Sequence, residues 1–240
     1  MSHSDDRPAP LRVAITGGTS GLGLALLRDL RRTGEQVAFV ARTSSAVAAV
    51  AAETGAVGIV ADVAQKREVH PIALQVNAAL GGLDVLINNA SDLGPTPLAL
   101  LADTDCEDLE RALATNLVGP FRLTKALLGP LAASARERRG AVVVNISSDA
   151  AVTPYETWGA YGASKAGLRH LSAIWDAELE GEGVRVLSID PGDMDTPMHA
   201  AAIPGADPSQ LKRPGDAAQE IIAAIRAALP ERAPARAGAP

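Results

Sequence analysis

Tyr161 and Lys165 stand four residues apart in a stretch with helical spacing, so a helix would turn both side chains to one face. A phenol beside an ammonium can do acid–base work on an oxygen whose charge changes. Free tyrosine titrates near about 10 and is a poor catalyst at neutral pH, but a neighbouring cation favours the phenolate. Bringing such a phenol to about 7 takes ~4 kcal/mol of differential stabilisation, which one desolvated cation and a second positive charge could supply. Ser148 lies 13 residues before Tyr161, at the end of the apolar run AVVVNIS (141–147). Its hydroxyl could donate to the same reacting oxygen. The plain alternative is a surface Tyr/Lys pair and a strand-end serine.

A second cluster is Thr16-Gly-Gly-Thr-Ser-Gly-Leu-Gly23, between the apolar run LRVAIT (11–16) and the helical pattern LALLRDLRRT (24–33). Gly17, Gly21 and Gly23 allow a sharp turn and a close backbone approach to a pyrophosphate, with Thr16, Thr19, Ser20 and Leu22 in the same loop. The helix that follows offers free N–H groups and a partial positive charge to such an anion. A glycine-rich turn with no ligand is the bland reading. The next apolar run, QVAFVA (36–41), is followed by Arg42 and Thr43. An acidic residue there would bind the ribose 2′-hydroxyl of NAD. An arginine with nearby hydroxyls instead suits a 2′-phosphate, so NADP(H) is expected and NAD(H) is the second choice. Arg42 could otherwise be a solvated strand-end charge. Asp62 and Val63, past the third apolar run, could hold the adenine edge, or Asp62 could simply cap the following helix.

These residues need elements to position them. Apolar runs predict strands at 11–16, 36–41, 56–61, 83–89, 141–147 and 184–190. Helical spacing predicts helices at 24–33, 44–53, 65–80, 105–135, 159–180 and 214–229, with Pro120 and Pro130 as kinks or breaks in the fourth. Continuous Val/Ile/Ala runs suit strands buried on both faces. Strict alternation then gives an α/β fold: a single-domain, doubly wound, Rossmann-type parallel sheet with helices on both faces, six clear strands and a doubtful seventh. Residues 1–10 read as a disordered lead, 11–229 as the domain, 193–213 as a lid, and 230–240 as a mobile tail.

Composition narrows the function. Of 240 residues, 47% are hydrophobic and 21% charged, which argues against disorder. Net charge is −6 with no basic block, so nucleic acid is not an expected partner. Cys106 is the only cysteine, which excludes an intramolecular disulfide and a Cys-cluster zinc site. His3, His70, His170 and His199 lack metal-ligand spacing, so no metal is expected. No apolar run reaches the ~18 residues of a membrane span. Residues 1–10 are polar and acidic, unlike a signal peptide. The expectation is a cytoplasmic protein acting on a small molecule.

Taken together, the motifs resemble the short-chain dehydrogenase/reductase family in its compact single-domain branch. TGGTSGLG (16–23) matches the TGxxxGxG loop, INNAS (87–91) the NNAG element, and Asn116 in TNLVG the helix asparagine of a catalytic tetrad. NISS (145–148), YGASK (161–165) and DPGDMDT (190–196) match the remaining motifs, so six occur in the family's order. The resemblance implies that Tyr161 is the general acid in reduction and the base in oxidation. It implies that Lys165 binds the nicotinamide ribose and lowers the Tyr161 pKa, and that Ser148 orients the carbonyl. It further implies that Asn116 holds a water in a proton relay through a helix kink. Asn89 and Ala90 would line the ribose, and Pro191, Gly192 and Thr196 would touch the nicotinamide amide. Ser91 departs from the family by replacing the last glycine of NNAG. The family's final strand has no counterpart, which favours a homodimer through helices 105–135 and 159–180 over a tetramer.

The strongest likeness is to the sepiapterin-reductase and benzil-reductase side of the family, with a pterin substrate disfavoured. Leu93, Tyr155, Trp158 and Met194 could wall an aromatic substrate, and each could equally be a loop anchor or core residue. Asp193 and Asp149 could contact a polar substrate, cap helices or face solvent. His199 in the lid reads as structural or exposed. The expected function is NADPH-dependent reduction of a ketone by a Tyr/Lys/Ser/Asn tetrad, with aromatic ketones and vicinal dicarbonyls as the candidate substrates. The alternatives are an alcohol dehydrogenase running in the oxidative direction, or a non-catalytic NADP-binding sensor or scaffold.

Overall fold

The computed structural model describes residues 9–230. The expected disordered lead and mobile tail lie outside the described residues, apart from Ala9, Pro10 and Pro230. Six strands form one parallel sheet: β1 (Arg12–Thr16), β2 (Gln36–Ala41), β3 (Val57–Val60), β4 (Val85–Asn88), β5 (Ala141–Ile146) and β6 (Val184–Ile189). Their order is β3-β2-β1-β4-β5-β6. The chain winds outward from β1 to β3, then crosses back to β4 beside β1. The order therefore reverses between β1 and β4, and the crevice above their carboxyl ends is where such folds hold ligands. Among the described residues no seventh strand follows β6.

The continuous apolar runs follow from burial on both faces. Along β1, Val13 and Ile15 join one core while Ala14 joins the other. In β2, Val37 and Phe39 face the first core and Ala38 and Val40 the second; β5 splits Val142 and Val144 from Val143 likewise. The first core is closed by α1 (Gly21–Arg32), α2 (Ser44–Thr54) and α8 (Pro214–Ala228). The second is closed by α3 (Val69–Leu80), α5 (Gly119–Arg136) and α6 (Gly159–Leu179). A short α7 (Pro197–Ala202) sits over the carboxyl edge.

The helix expected over 105–135 divides into α4 (Cys106–Leu113) and α5, joined by a π-helical turn at Ala114–Val118. The irregular turn directly precedes Pro120, which has no N–H to offer the Asn116 carbonyl four residues back. Pro130 is carried inside α5. The opposite edge of the sheet is fastened by Asp84, fully buried beside Arg12 and Arg139 at 2.7 Å each. Burial opposes its charge, but bonds from Arg139, Arg12 and Ser134 hold its carboxyl well below the usual range.

Candidate active site

A cleft of about 330 Å³ runs along the carboxyl edge of the sheet. Its floor is the turn after β1. Gly17 has φ +72°, and a Cβ there would stand 2.9 Å from Ala90 Cα, so only glycine lets this turn pass beneath the end of β4. Thr19, Ser20, Gly21 and Leu22 continue the floor into α1. Ser20 gives the helix no side-chain cap, and no acidic residue stands in its first turn. The first amides of α1 thus remain open to an anion, as a pyrophosphate requires.

Two residues of this loop act from behind the cleft rather than on it. A Cβ at Gly23 would lie 2.2 Å from the Gly17 carbonyl oxygen, so Gly23 lets α1 close onto the turn. Thr16 Oγ1 accepts from the Asn89 and Ala90 amides at 3.0 Å each, and Asn89 Nδ2 donates to Thr16 O at 2.9 Å. This ties β1 to β4 across the switch point.

Past the loop, Arg42 and Thr43 line the cleft at the end of β2, with Asp62 and Val63 after β3. Arg42 makes no ion pair or side-chain hydrogen bond among the described residues, and no carboxylate stands beside it at the end of β2. Asp62 Oδ1 accepts from the Ala64 amide at 3.0 Å, a local turn bond that leaves its other oxygen free. Asn89, Ala90, Pro191, Gly192 and Thr196 complete the crevice. Thr196 also caps α7, accepting from the His199 amide at 3.2 Å.

At the far end, α6 places Tyr161 and Lys165 one turn apart, with Ser148 opposite them after β5. Lys165 is buried, and its Nζ lies 5.4 Å from the Tyr161 ring centroid while donating to Ile146 O at 2.7 Å. Burial brings the Lys165 ammonium down to about 8. Burial pushes the Tyr161 phenol up to about 12, against the pull of the Ser148 and Ser91 hydroxyls and with a further push from the Asp190 and Asp149 charges. The expected downward shift is therefore not a property of this chain alone. Lys165 is itself desolvated and bound to a carbonyl, and the protein by itself holds Tyr161 as a neutral acid. Ser148 Oγ donates to Asp149 Oδ1 at 3.0 Å, and must turn from it to reach a substrate oxygen.

Asn116 lies in the π turn, fully buried and off the cleft. Its Nδ2 donates to Asp92 O at 2.7 Å and Ser164 Oγ at 2.8 Å, while its Oδ1 accepts from the Asp92 amide at 2.8 Å and Ser91 Oγ at 3.2 Å. The side chain is thus spent on protein partners and has nothing left for the expected water. A π turn frees backbone groups from the regular ladder, so a water here would need a main-chain carbonyl. Leu93, Trp158, Asp193 and Met194 line the substrate end, but Tyr155 does not. Tyr155 is drawn aside by Asp149, donating to Oδ2 at 2.7 Å.

Sequence reasoning missed Ser91, Met198 and Ala202 as lining residues and set His199 aside; all four face the cleft. The one signal for the α7 residues is spacing: Met198 and Ala202 are four apart and share a helical face. His199 is nearly buried, with Nε2 4.0 Å from Asp193 Oδ1.

A family model described as short chain dehydrogenase matches residues 12–206. An uncharacterized short-chain type dehydrogenase/reductase of Sinorhizobium fredii is 34% identical over 203 residues, covering 82% of this chain. The match spans 35% of that relative's own length. A benzil reductase of Bacillus subtilis, named as (S)-benzoin forming, is 29% identical over 188 residues, 78% of this chain and 75% of the relative. A short chain dehydrogenase structure from Shigella flexneri, in complex with NADP, superimposes with a TM-score of 0.78 at 25% identity, covering 88% of this chain and 90% of the other.

Proposed function

The chain belongs to the short-chain dehydrogenase/reductase family, and from that membership we propose that residues 11–229 act as one domain that reduces a ketone with NADPH. The observation that carries this reading is the buried Tyr161 phenol, held protonated and flanked by Ser148 and Lys165 in the glycine-floored cleft. A neutral phenol is the form that reduction consumes.

NADPH, when bound, supplies the hydride. The turn from Gly17 to Leu22 and the open amides of α1 would hold its pyrophosphate, and Arg42 with Thr43 its 2′-phosphate. Asp62 and Val63 would meet the adenine, Asn89, Ala90 and Lys165 the nicotinamide ribose, and Pro191, Gly192 and Thr196 the amide. Ser148 orients the carbonyl by donating to its oxygen. Tyr161 passes its proton to that oxygen as the negative charge develops. Lys165 favours the phenolate left behind, as long as its own ammonium stays charged.

Leu93, Trp158, Met194, Met198 and Ala202 make the substrate end largely apolar. The Trp158 ring stands edge-on to Tyr161 with centroids 5.7 Å apart, a wall that suits a flat aromatic group beside the carbonyl. The benzil reductase relative supports the same substrate class, aromatic or vicinal dicarbonyl ketones. The test is NADPH consumption against aromatic diketones, quinones, pterins and simple aliphatic ketones. Turnover of the aromatic diketones above the aliphatic ketones is expected; turnover of none would contradict the reading.

A further inference from the structure

Beside the substrate end of the cleft lies a second hollow, an open groove of about 200 Å³. Ser91, Leu93 and Met198 line both spaces, so cleft and groove meet along these side chains. Leu93 and Met198 also pack in one apolar cluster with Tyr161 and Trp158, which puts the junction next to the reacting end. One wall of the groove is fixed. Asn116 holds Asp92 by its amide at 2.8 Å and its carbonyl at 2.7 Å, and Arg111 Nη2 donates to Gly94 O at 2.7 Å. Gly94 has φ +86°, and a Cβ there would stand 2.8 Å from Ala160 Cβ, so this loop lies directly on α6. The other wall is α7. Met198 and Ala202 face the cleft while Met198 and Ala201 face the groove, as positions three and four residues apart on one short helix allow.

We propose that this groove is a subsite for a second arm of the ketone. With the carbonyl at Ser148 and Tyr161, one substituent lies against Trp158 and the other passes over Leu93 and Met198 into the groove. This rests on reading the Tyr161 end of the cleft as the ketone site. The room suits a ring, since a cavity of roughly 150 Å³ already takes benzene. The entrance is apolar, and the far end carries no surplus charge. Arg111 is the cation there, and it faces two carboxylates, Asp92 at 3.2 Å and Asp108 at 2.6 Å. An anionic arm would meet a guanidinium already neutralised, and two negative neighbours. The arm is therefore uncharged, and the substrate carries a bulky neutral group on each side of its carbonyl unit in place of a methyl on one side. Ala201 decides how large the second group is, because it is the α7 residue that faces the groove and not the cleft.

The test is calorimetric titration of the protein loaded with oxidised cofactor, which has no hydride to give. The probes are diphenylethanedione, with a ring on each carbonyl, and phenylpropanedione, with a methyl in place of one ring. The parent should bind the two-ring ketone about tenfold more tightly, the worth of burying most of a ring where a methyl stood. Ala201 is exposed, so a larger side chain there enters the groove without crowding the core. Ala201→Phe should erase the tenfold preference by weakening the two-ring ketone. Ala200→Phe adds the same ring to α7 outside both spaces and should keep the preference. A carboxylate on the second ring should weaken binding. Equal affinity of the parent for both ketones, binding of neither, an equal loss of both in Ala201→Phe, or tighter binding of the carboxylated ring would overturn the proposal. Binding is read without turnover, so a two-ring preference in a protein that reduces no ketone would sink the reductase reading and leave the subsite standing.

Discussion

At the scale of single residues, Lys165 shows burial used for chemistry at the expense of stability. Lys165 is fully enclosed, yet at pH 7 it is still charged, because burial lowers it only to about 8. Its folded value lies below the ordinary one of 10.5, so the unfolded chain binds more protons between about pH 8 and 10.5, and stability from this group rises with pH through that window. Lys165→Met should therefore stabilise the fold at pH 7 by ~1–3 kcal/mol in urea unfolding while abolishing turnover, with the stability gain shrinking as pH rises past 8. A loss of stability at pH 7 would mean that the bond to Ile146 O outweighs the desolvation. Arg42 is the opposite case, exposed and without an ion pair among the described residues. Arg42→Asp should weaken NADPH by roughly 10- to 100-fold and leave NADH near its original affinity, as expected for one lost charge-assisted phosphate bond. An unchanged ratio of the two affinities would remove Arg42 from the phosphate site.

At the scale of elements, α7 and the loop after it form a flap with a fixed stem. The stem is a short bridge, Asp195 N to Lys212 O at 3.0 Å and Lys212 N to Asp193 O at 2.9 Å. Beyond it, α7 turns Met198, His199 and Ala202 to the cleft. Hydrogen exchange over 198–212 should slow when NADPH is added, while the stem amides change little. Equal exchange with and without NADPH would contradict a closing flap. The flap also marks where the sequence stops being legible. The six strands and most helices were readable because burial on both faces leaves continuous apolar runs, as in AVVVNI of β5. The glycine turn and the Tyr161/Lys165 spacing were readable because close approach and helical pitch restrict residue type. Tyr155 reads as a pocket wall in the sequence but is held by Asp149, and the bonds of the Asn116 side chain to Asp92 and Ser164 were equally invisible, because both settings depend on tertiary partners. Pro120 marked a break in the sequence, and the structure has a π turn just before it; its π geometry had no signal of its own. Ser91 registered as a departure from a motif, and its bond to Asn116 became visible only when the end of β4 and the π turn were brought together.

At the scale of the whole molecule, chemistry and fastening are kept apart. The cleft occupies the carboxyl edge of the sheet, and the Asp84 cluster binds the amino edge. A third face remains on α5 and α6, where Phe121 and Ile174 are about two-fifths exposed and Phe121 stacks on Trp175 at 5.9 Å. We propose that two copies pair through this face. Light scattering should then give twice the chain mass, and Phe121→Arg should shift it toward the monomer; a monomeric parent would contradict the pairing. The central claim concerns one proton. Tyr161→Phe removes one oxygen from a site that otherwise keeps its shape, and the decisive measurement compares NADPH affinity and ketone turnover in this variant with the parent. Affinity within about twofold of the parent and turnover lower by ~10²–10⁴ are expected, the usual worth of a placed general acid. Turnover close to that of the parent would contradict it.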